Sequence, residues 1–174
     1  MTATQRVRQG VRALVAGARP VDRELAAAYL TPAQMALFEA LRRSEQIHSL
    51  NVLRAVLAQE AAPHDLAVAA LLHDAGKARY PFPVWEKTLV VLARAAFPRR
   101  CARWAAADPA ANRWARPFAI SAQHPAWGAE LAAAAGTSPR AVWLIARHAD
   151  SLAAHTGHPH APLLARLQRA DDTN

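Results

Sequence analysis

One dipeptide in the sequence has side chains that could bind a metal ion. His73 and Asp74 stand in the segment Leu-Leu-His-Asp-Ala-Gly-Lys, near the end of an apolar helical stretch. Neighbouring helical residues project about 100° apart, so the imidazole and the carboxylate can face one point from adjacent angles. Imidazole nitrogen and carboxylate oxygen are ligands of divalent transition metals. A metal ion would also stabilise an ionised Asp74 beside Leu71 and Leu72, where an unpaired charge is costly.

Other residues of ligand type lie on apolar helical segments elsewhere in the chain. They are His48, His124, His148 and Asp171. Each of them alone is more typical of a core or boundary residue than of a ligand, and the dipeptide alone is equally compatible with a solvent-exposed helix end. The repeated association with apolar helices, in order around His73 and Asp74, favours a shared metal site.

The segments that carry these residues are predicted to be helical. Ala and Leu are abundant and alternating β-branched segments are absent, so the sequence indicates an all-α fold. Breaker residues divide the chain into seven or more helical segments, at about 4–18, 22–29, 31–41, 44–60, 66–77, 84–97, 99–107, 118–124, 127–135, 138–149 and 163–171. Pro125 is expected to separate two short helices. The apolar stripe of segment 84–97 is expected to consist of Trp85, Leu89, Leu92 and Ala96.

The length and composition fit one ordinary domain. The chain has 174 residues, of which 53% are hydrophobic and 20% are charged, enough for a core of its own. No apolar run is long enough to span a membrane, and the single Cys101 excludes a disulfide framework. We therefore expect a cytoplasmic, stand-alone module. The Arg-rich opening resembles a transit peptide, but an amphipathic helix is the simpler interpretation.

A basic and aromatic segment occupies about residues 81–117. The net charge of the chain is +8, and between Arg94 and Arg116 six arginines face Asp108 alone. Such a segment favours an anionic partner, which could be a nucleotide or a membrane surface, with nucleic acid the least favoured. A lid over the site, a peripheral membrane contact and a helical hairpin with a solvated Arg face all remain open. The aromatic residues concerned are Trp85, Phe97, Trp104, Trp114 and Phe118.

The ordered set of ligand types resembles the HD-domain superfamily of metal-dependent phosphohydrolases. The family pattern is a lone His, a His-Asp pair, two further His and a distal Asp, and the match covers about residues 45–172. The flanking motifs here are Glu-Gln-Ile-His48-Ser-Leu, His73-Asp74-Ala-Gly-Lys, His124-Pro-Ala-Trp-Gly-Ala-Glu-Leu, Ile-Ala-Arg-His148 and Leu-Gln-Arg-Ala-Asp171-Asp172. Asp172 is an alternative to Asp171, which fits the family pattern better.

The resemblance implies a helical bundle that holds one or two divalent metal ions. Residues 44–174 would form the HD domain, with the basic and aromatic insertion at about 81–117, and residues 1–43 a helical extension packed on it. The family's metal ligands correspond to His48, His73, Asp74 and Asp171. With His124 and His148 present, a second ion bridged by Asp74 is expected. Iron or manganese is favoured, with nickel, cobalt, zinc or magnesium as alternatives.

The resemblance also implies an enzyme that cleaves a phosphate ester or anhydride of a small phosphorylated metabolite, such as a nucleotide, by metal-activated water. Asp74 and Lys77 would then be catalytic, and Lys77 and Arg147 would bind substrate phosphate. Lys77 could instead complement a helix C-terminus, and Arg147 could be a surface residue.

Two other functions remain compatible with the same residues. One is a non-catalytic nucleotide-sensing or membrane-surface binding module, and the other is a di-iron HD-type oxygenase. The HD-GYP subtype is disfavoured because Arg147-His148-Ala149-Asp150 and Gly157-His158-Pro159 replace its His-His-Glu and Gly-Tyr-Pro elements. A solvated loop is expected around His155, His158 and His160, in preference to another metal site. The oligomeric state stays open.

Overall fold

Helices form the regular structure of this protein, as the computed structural model describes it for residues 20–59, 61–80 and 84–174. Those residues contain no β-strand, so the all-α prediction is confirmed. The helix predicted at 4–18 lies outside the described residues. The nine α-helices of the described part are α1 (Arg23–Ala27), α2 (Pro32–Ala40), α3 (Arg43–Leu57), α4 (His64–Leu72), α5 (Val84–Ala96), α6 (Pro98–Ala105), α7 (Arg116–Ala134), α8 (Pro139–Arg147) and α9 (Ala161–Asp172). Two short 3-10 helices lie at Ala75–Arg79 and Leu152–His155.

Cap residues explain where several helices begin and end. The Thr31 side chain accepts a hydrogen bond from the Gln34 N–H, and the Gln34 side chain accepts one from the Thr31 N–H, which forms a capping box at the start of α2. Ser138 accepts from the Ala141 N–H at the start of α8. Gly136, after α7, has a φ of +75°, a conformation that favours glycine.

One apolar core joins the helices on which the predicted ligands lie. Its buried members come from α1 to α4 and α7 to α9, and they include Phe38, Leu53, Leu71, Leu144 and Leu167. Phe38 belongs to the segment predicted as an N-terminal extension, so α2 shares this core with the rest of the bundle. Burial of these side chains provides the main driving force that holds the helices together.

Polar contacts fix the start of α8 against the N-terminal half of the chain. Ser138 Oγ donates to Asp65 Oδ1 at 2.6 Å, and Arg140 lies 3.2 Å from Asp65 Oδ2. Gln34 Nε2 donates to Thr137 Oγ1 at 3.1 Å in a buried position. Since α4 and α8 are both nine residues long and their starts are joined, their ends meet as well. The residues at those ends are His73 and His148.

The helix that carries His124 is longer than predicted. Pro125 does not divide it, because α7 runs without interruption from Arg116 to Ala134. An interior proline removes a backbone hydrogen bond and costs about 3 kcal/mol. Pro125 is buried together with His124 and Ala129, so tertiary packing maintains a helix that local propensity disfavours.

Helix α4 is shorter than predicted. It ends at Leu72, His73 is its C-cap, and the chain then enters the 3-10 helix Ala75–Arg79 in place of a continued α-helix to Lys77. Asp74 leaves helical geometry with a ψ of 3°. The chain turns here because the next residues pack directly on the backbone of α7.

Helices α5 and α6 form a layer that packs on α7. A second apolar cluster contains Val90, Cys101, Phe118 and Ile120, and the Trp104 ring lies 4.9 Å from the Phe118 ring. Trp104 and Phe118 thus pack inside this layer, whereas Phe97 and Trp114 of the same basic segment are exposed. Cys101 is a buried, free thiol within it.

The apolar stripe predicted for α5 is not the face that packs on α7. Leu89, Leu92 and Ala96 are exposed, whereas Val90 is buried and Ala93 is partly buried. The periodicity identified an apolar face, but α5 rests on α7 through the adjacent face, about 100° away. The side chain of Trp85, the fourth predicted member, lies outside the described residues.

None of the helices in the described part of the chain is both long and apolar enough to cross a membrane.

Two glycines allow the turn after Asp74 to contact α7 closely. A Cβ atom on Gly76 would overlap the carbonyl oxygen of His124 and lie 2.7 Å from the Gly128 nitrogen. A Cβ atom on Gly128 would lie 3.1 Å from the Gly76 nitrogen. The position of Asp74 relative to His124 therefore depends on a backbone contact that tolerates no side chain at residue 76.

We expect Gly76→Ala to destabilise the protein by about 1–3 kcal/mol, because the new methyl group must displace the backbone of α7. Urea unfolding measures this change. Gly136→Ala is the matched control: it adds a methyl group where no atom lies within 4 Å and carries only the left-handed backbone penalty of about 1 kcal/mol. Equal losses in the two variants would contradict the close-contact interpretation.

Candidate metal centre

The structure brings all six predicted metal-ligand residues into one cluster. His73 and His148 cap the C-terminal ends of α4 and α8, and Asp74 follows His73 directly. His48 lies within α3, His124 within α7 and Asp171 near the end of α9. Five helices thus contribute, and residues up to 123 positions apart in the chain come into contact.

Backbone carbonyls orient three of the imidazoles. In each case Nδ1 donates a hydrogen bond to a carbonyl three or four residues earlier on its own helix. In the neutral ring this leaves Nε2 unprotonated, with its lone pair free for a ligand. The pairs are His73 with Ala70 at 3.0 Å, His124 with Ile120 at 3.0 Å and His148 with Ile145 at 2.8 Å.

Asp74 lies between two groups of imidazoles. Its Oδ2 atom is 3.6 Å from His73 Nε2, and its Oδ1 atom is 3.3 Å from His124 Nε2 and 3.8 Å from His148 Nε2. In two groups of residues, the atoms that could bind a metal ion all lie within 4.8 Å of one another, and we call these metal-sized groups. One consists of His48, His73 and Asp74, and the other of Asp74, His124 and His148. These five residues could hold a metal ion.

Asp171 completes the group around His48. Its Oδ1 atom lies 2.8 Å from His48 Nε2 and 3.7 Å from His73 Nε2. Asp172, the alternative left open by the sequence, is exposed. The structure therefore places Asp171, and not its neighbour, beside the histidines.

Electrostatics keep the carboxylates ionised and two of the histidines neutral. Burial alone would raise the pKa of Asp74, but Lys77, His73 and His124 hold it well below its usual range. Burial likewise opposes ionisation of Asp171, while His48 and His73 lower its pKa. Burial lowers the pKa of His124 and takes the pKa of His148 to about 3. The cluster thus presents charged oxygens and unprotonated nitrogens near neutral pH.

The donor atoms fit a transition-metal ion. His73 Nε2 is buried and has no hydrogen-bond partner among the described residues. His124 Nε2 and His148 Nε2 lie 3.2 Å apart, and since both rings donate from Nδ1, two lone pairs face each other. A cation would satisfy all three atoms. Mixed imidazole and carboxylate ligands suit iron, manganese, cobalt, nickel or zinc better than magnesium, which prefers oxygen.

The two predicted phosphate-binding residues differ in position. Lys77 Nζ lies 2.5 Å from Asp74 Oδ2, and only 14% of its side chain is exposed. Arg147 is exposed and lies 3.6 Å from Asp150 in an ion pair that includes none of the six ligand residues. Lys77 is therefore part of the cluster, whereas a role for Arg147 in substrate binding stays a prediction.

A cavity of about 410 Å³ lies between α7, the 3-10 helix Ala75–Arg79 and the residues after α6, and none of the six cluster residues lines it. It is lined in part by Arg79, Tyr80, Asp108, Gln123 and Trp127. The Tyr80 and Trp127 rings are 5.7 Å apart, and the Arg79 guanidinium lies 5.5 Å from the Trp127 ring. None of these residues was predicted to line a pocket. The sequence held one indication that such residues could be functional, which is their short distance in the chain from predicted site residues. Trp127 follows His124 by three residues, and Arg79 follows Lys77 by two.

The histidines of the loop before α9 have a different role. The His158 ring stacks on the Trp143 ring at 4.1 Å, and the rings of His155 and His160 lie edge-on to it. His155 Nε2 also lies 2.9 Å from Asp150 Oδ2. The expectation of a simple solvated loop missed this packing. Among the described residues, no metal-sized group forms there.

Gln168 is a supporting residue that the sequence did not reveal. Its Nε2 atom donates to the carbonyl oxygens of His148 at 3.1 Å and Asp150 at 2.8 Å. These bonds join α9, which carries Asp171, to the end of α8. A lone glutamine on an amphipathic helix carries no signal of this kind.

No family model, curated protein or solved structure matches this chain. The interpretation of the site therefore depends on its own geometry.

We expect Asp171→Asn to lower metal affinity by more than the roughly 10- to 100-fold that loss of a supporting hydrogen bond costs, because a charged donor atom is removed. Asp172→Asn makes the same chemical change one residue away at an exposed position, and it should retain the metal. Elemental analysis of both purified variants and metal titration by calorimetry measure the difference. Loss of metal from Asp172→Asn with retention in Asp171→Asn would reverse the ligand assignment.

Proposed function

We propose that this chain is an HD-type metal-dependent phosphohydrolase that cleaves a phosphate ester or anhydride of a small phosphorylated metabolite, most naturally a nucleotide. The observation that carries the proposal is the position of Asp74. This buried carboxylate lies between two groups of imidazole nitrogens, with the Lys77 ammonium on its remaining side. A site that binds metal cations and phosphate oxygens accounts for the buried carboxylate, the imidazole nitrogens and the ammonium together.

The ligand set supports one or two ions. His48, His73, Asp74 and Asp171 would hold the first, and Asp74, His124 and His148 the second. We propose iron or manganese, since both accept mixed nitrogen and oxygen ligands. Divalent ions bound there supply Lewis acidity toward phosphoryl oxygens and toward water.

Exposure of the side chains indicates the direction from which substrate arrives. His48 and Asp171 are about one quarter to one third exposed, whereas His73 and Asp74 are almost completely buried. Phosphate would therefore approach past His48, Asp171 and the partly exposed Lys77. In that position the Lys77 ammonium can turn from Asp74 Oδ2 to a phosphate oxygen and offset its charge.

The aromatic residues of the cavity favour a nucleotide as substrate, provided that its base reaches the cavity while its phosphate lies at the cluster. Trp127 and Tyr80 offer aromatic faces on which a base can stack, and Arg79 adds positive charge. Stacking of a base on an aromatic side chain is worth about 1–3 kcal/mol and is largely independent of base identity. The cavity thus favours nucleotides over phosphate esters that lack a base.

The attacking group would be water. Cys101 is buried in the second apolar cluster under α5 and α6, where it packs beside Val90 and Phe118. Burial among apolar side chains makes a thiol unreactive. Water activated at the cluster requires no protein nucleophile.

A phosphatase screen with Mn²⁺ or Fe²⁺ tests the function. We expect turnover of nucleotides or dinucleoside polyphosphates, a kcat/KM at least about fivefold lower for glycerol phosphate because it cannot stack in the cavity, and no turnover by Asp74→Asn. Released phosphate is measured together with the metal content of each preparation.

Two outcomes of this screen would overturn the proposal. Tight nucleotide binding without hydrolysis under Mn, Fe, Co and Ni would indicate a binding module. Oxygen consumption that requires iron, with no turnover by manganese, would indicate an oxygenase.

We expect Lys77→Ala to keep its metal but to lower kcat/KM by about 10- to 150-fold, the value of a charged hydrogen bond to substrate. Arg23→Ala removes a basic residue that forms an exposed ion pair with Glu39, and it should leave kcat/KM unchanged. Steady-state kinetics and elemental analysis on the same samples separate the two effects. If Lys77→Ala loses its metal, Lys77 supports the ligands and does not bind phosphate.

A further inference from the structure

Helix α5 presents an apolar face to solvent. Leu92 is 59% exposed, and Leu89 and Val91 are each nearly half exposed, although buried Val90 lies between them. Phe97, which joins α5 to α6, is 56% exposed. Surface helices normally present polar residues on the side away from the core. This exposed face of α5 and Phe97 is therefore unusual and requires a partner.

Exposed arginines lie on the same two helices as this face. Arg94 lies on α5, and α6 adds further exposed arginines immediately after Phe97. None of these makes an ion pair with any described residue, and the Arg100 guanidinium lies over the Phe97 ring at 5.9 Å. Glu86 and Asp108 are the only acidic residues between positions 84 and 116. The arginines concerned are Arg94, Arg99, Arg100 and Arg103 on the helices and Arg113 in the following turn.

We propose that α5 and α6 dock on an anionic phospholipid surface. The exposed aliphatic side chains would enter the boundary between headgroups and acyl chains, and the arginines would contact lipid phosphates. Trp114, which is 92% exposed in the same basic segment, is typical of residues that anchor at the membrane interface. The helices would lie on the bilayer, since none in the described part is long and apolar enough to cross it.

Charge and side-chain type favour lipid over the other occupants. A second copy meeting the same face would oppose two surfaces that each carry five exposed arginines, so charge repulsion disfavours it. Residues 1–19 are also basic, with four arginines and no acidic residue, so charge repulsion disfavours them as a cover. RNA would use aromatic faces for stacking, whereas Leu89, Val91 and Leu92 have none. The inference does not depend on the proposed reaction.

Vesicle sedimentation with the full-length protein tests the proposal. We expect binding to vesicles of equal parts phosphatidylglycerol and phosphatidylcholine, little binding to phosphatidylcholine alone, and weaker binding as salt is raised. The double variant Leu89→Gln with Leu92→Gln should lower the partition coefficient at least about tenfold by removing the apolar contact. Arg99→Gln with Arg103→Gln should lower it about fivefold for each arginine removed.

Matched controls change the same chemistry on other surfaces. Leu152→Gln alters a leucine that is exposed outside α5, and Arg23→Gln with Arg54→Gln removes two charges elsewhere. Both controls should bind vesicles as the unmodified chain does, and circular dichroism and metal content verify that every variant is folded.

Three results would overturn the proposal. The first is absence of binding to anionic vesicles, and the second is equal binding by the α5 and α6 variants. The third is a concentration-dependent dimer, or a complex with single-stranded RNA, that the Leu89 and Leu92 substitutions abolish while no vesicle binding is seen.

Discussion

The structure depends on how it accommodates the buried charge of Asp74. Only 3% of this side chain is exposed, and an unpaired carboxylate in such a place costs several kcal/mol. Lys77 supplies one compensating charge from three residues away. The remaining neighbours are imidazole nitrogens, two of them on rings that burial keeps neutral. The nitrogens of these two rings offer lone pairs, and together with the Asp74 carboxylate they could hold a metal ion.

Contacts at both ends of α4 and α8 position His73 and His148 in the cluster. At one end, Asp65 joins the starts of α4 and α8 through Ser138 and Arg140. At the other end, the same helices deliver His73 and His148, whose rings are 5.0 Å apart. Because a helix is a rigid rod of fixed rise, a contact at its start sets the position of a side chain at its end. Loss of the polar contacts at the starts of α4 and α8 would therefore displace His73 and His148 in the cluster.

The sequence predicted the all-α class and the six residues that cluster, because these depend on local or ordered patterns. Ala and Leu favour helices throughout the chain, and the ordered histidines share apolar helices. What the sequence did not predict depends on contacts between distant segments. Pro125 stays within a helix because its surroundings are buried, and α4 stops at Leu72 because Gly76 must meet α7. The cavity beside Trp127 is lined in part by Asp108, and the position of Asp108 in the sequence gives no indication that it lies near Trp127.

The apolar stripe of α5 illustrates the same limit of prediction from sequence. It also bears on how the exposed face of α5 and the cluster around Asp74 are connected. Periodicity identifies an apolar face but not the partner that covers it, and here the core takes Val90 and leaves Leu89 and Leu92 outside. In the described part of the chain, α5 and α6 pack on α7, which carries Phe118 and Ile120 beneath them and His124 beside Asp74. The contact of Gly76 with the backbone of α7 at His124 and Gly128 holds α7 close to Asp74. A partner on the exposed face would therefore act on α7 first, and this backbone contact would limit how far His124 moves relative to Asp74.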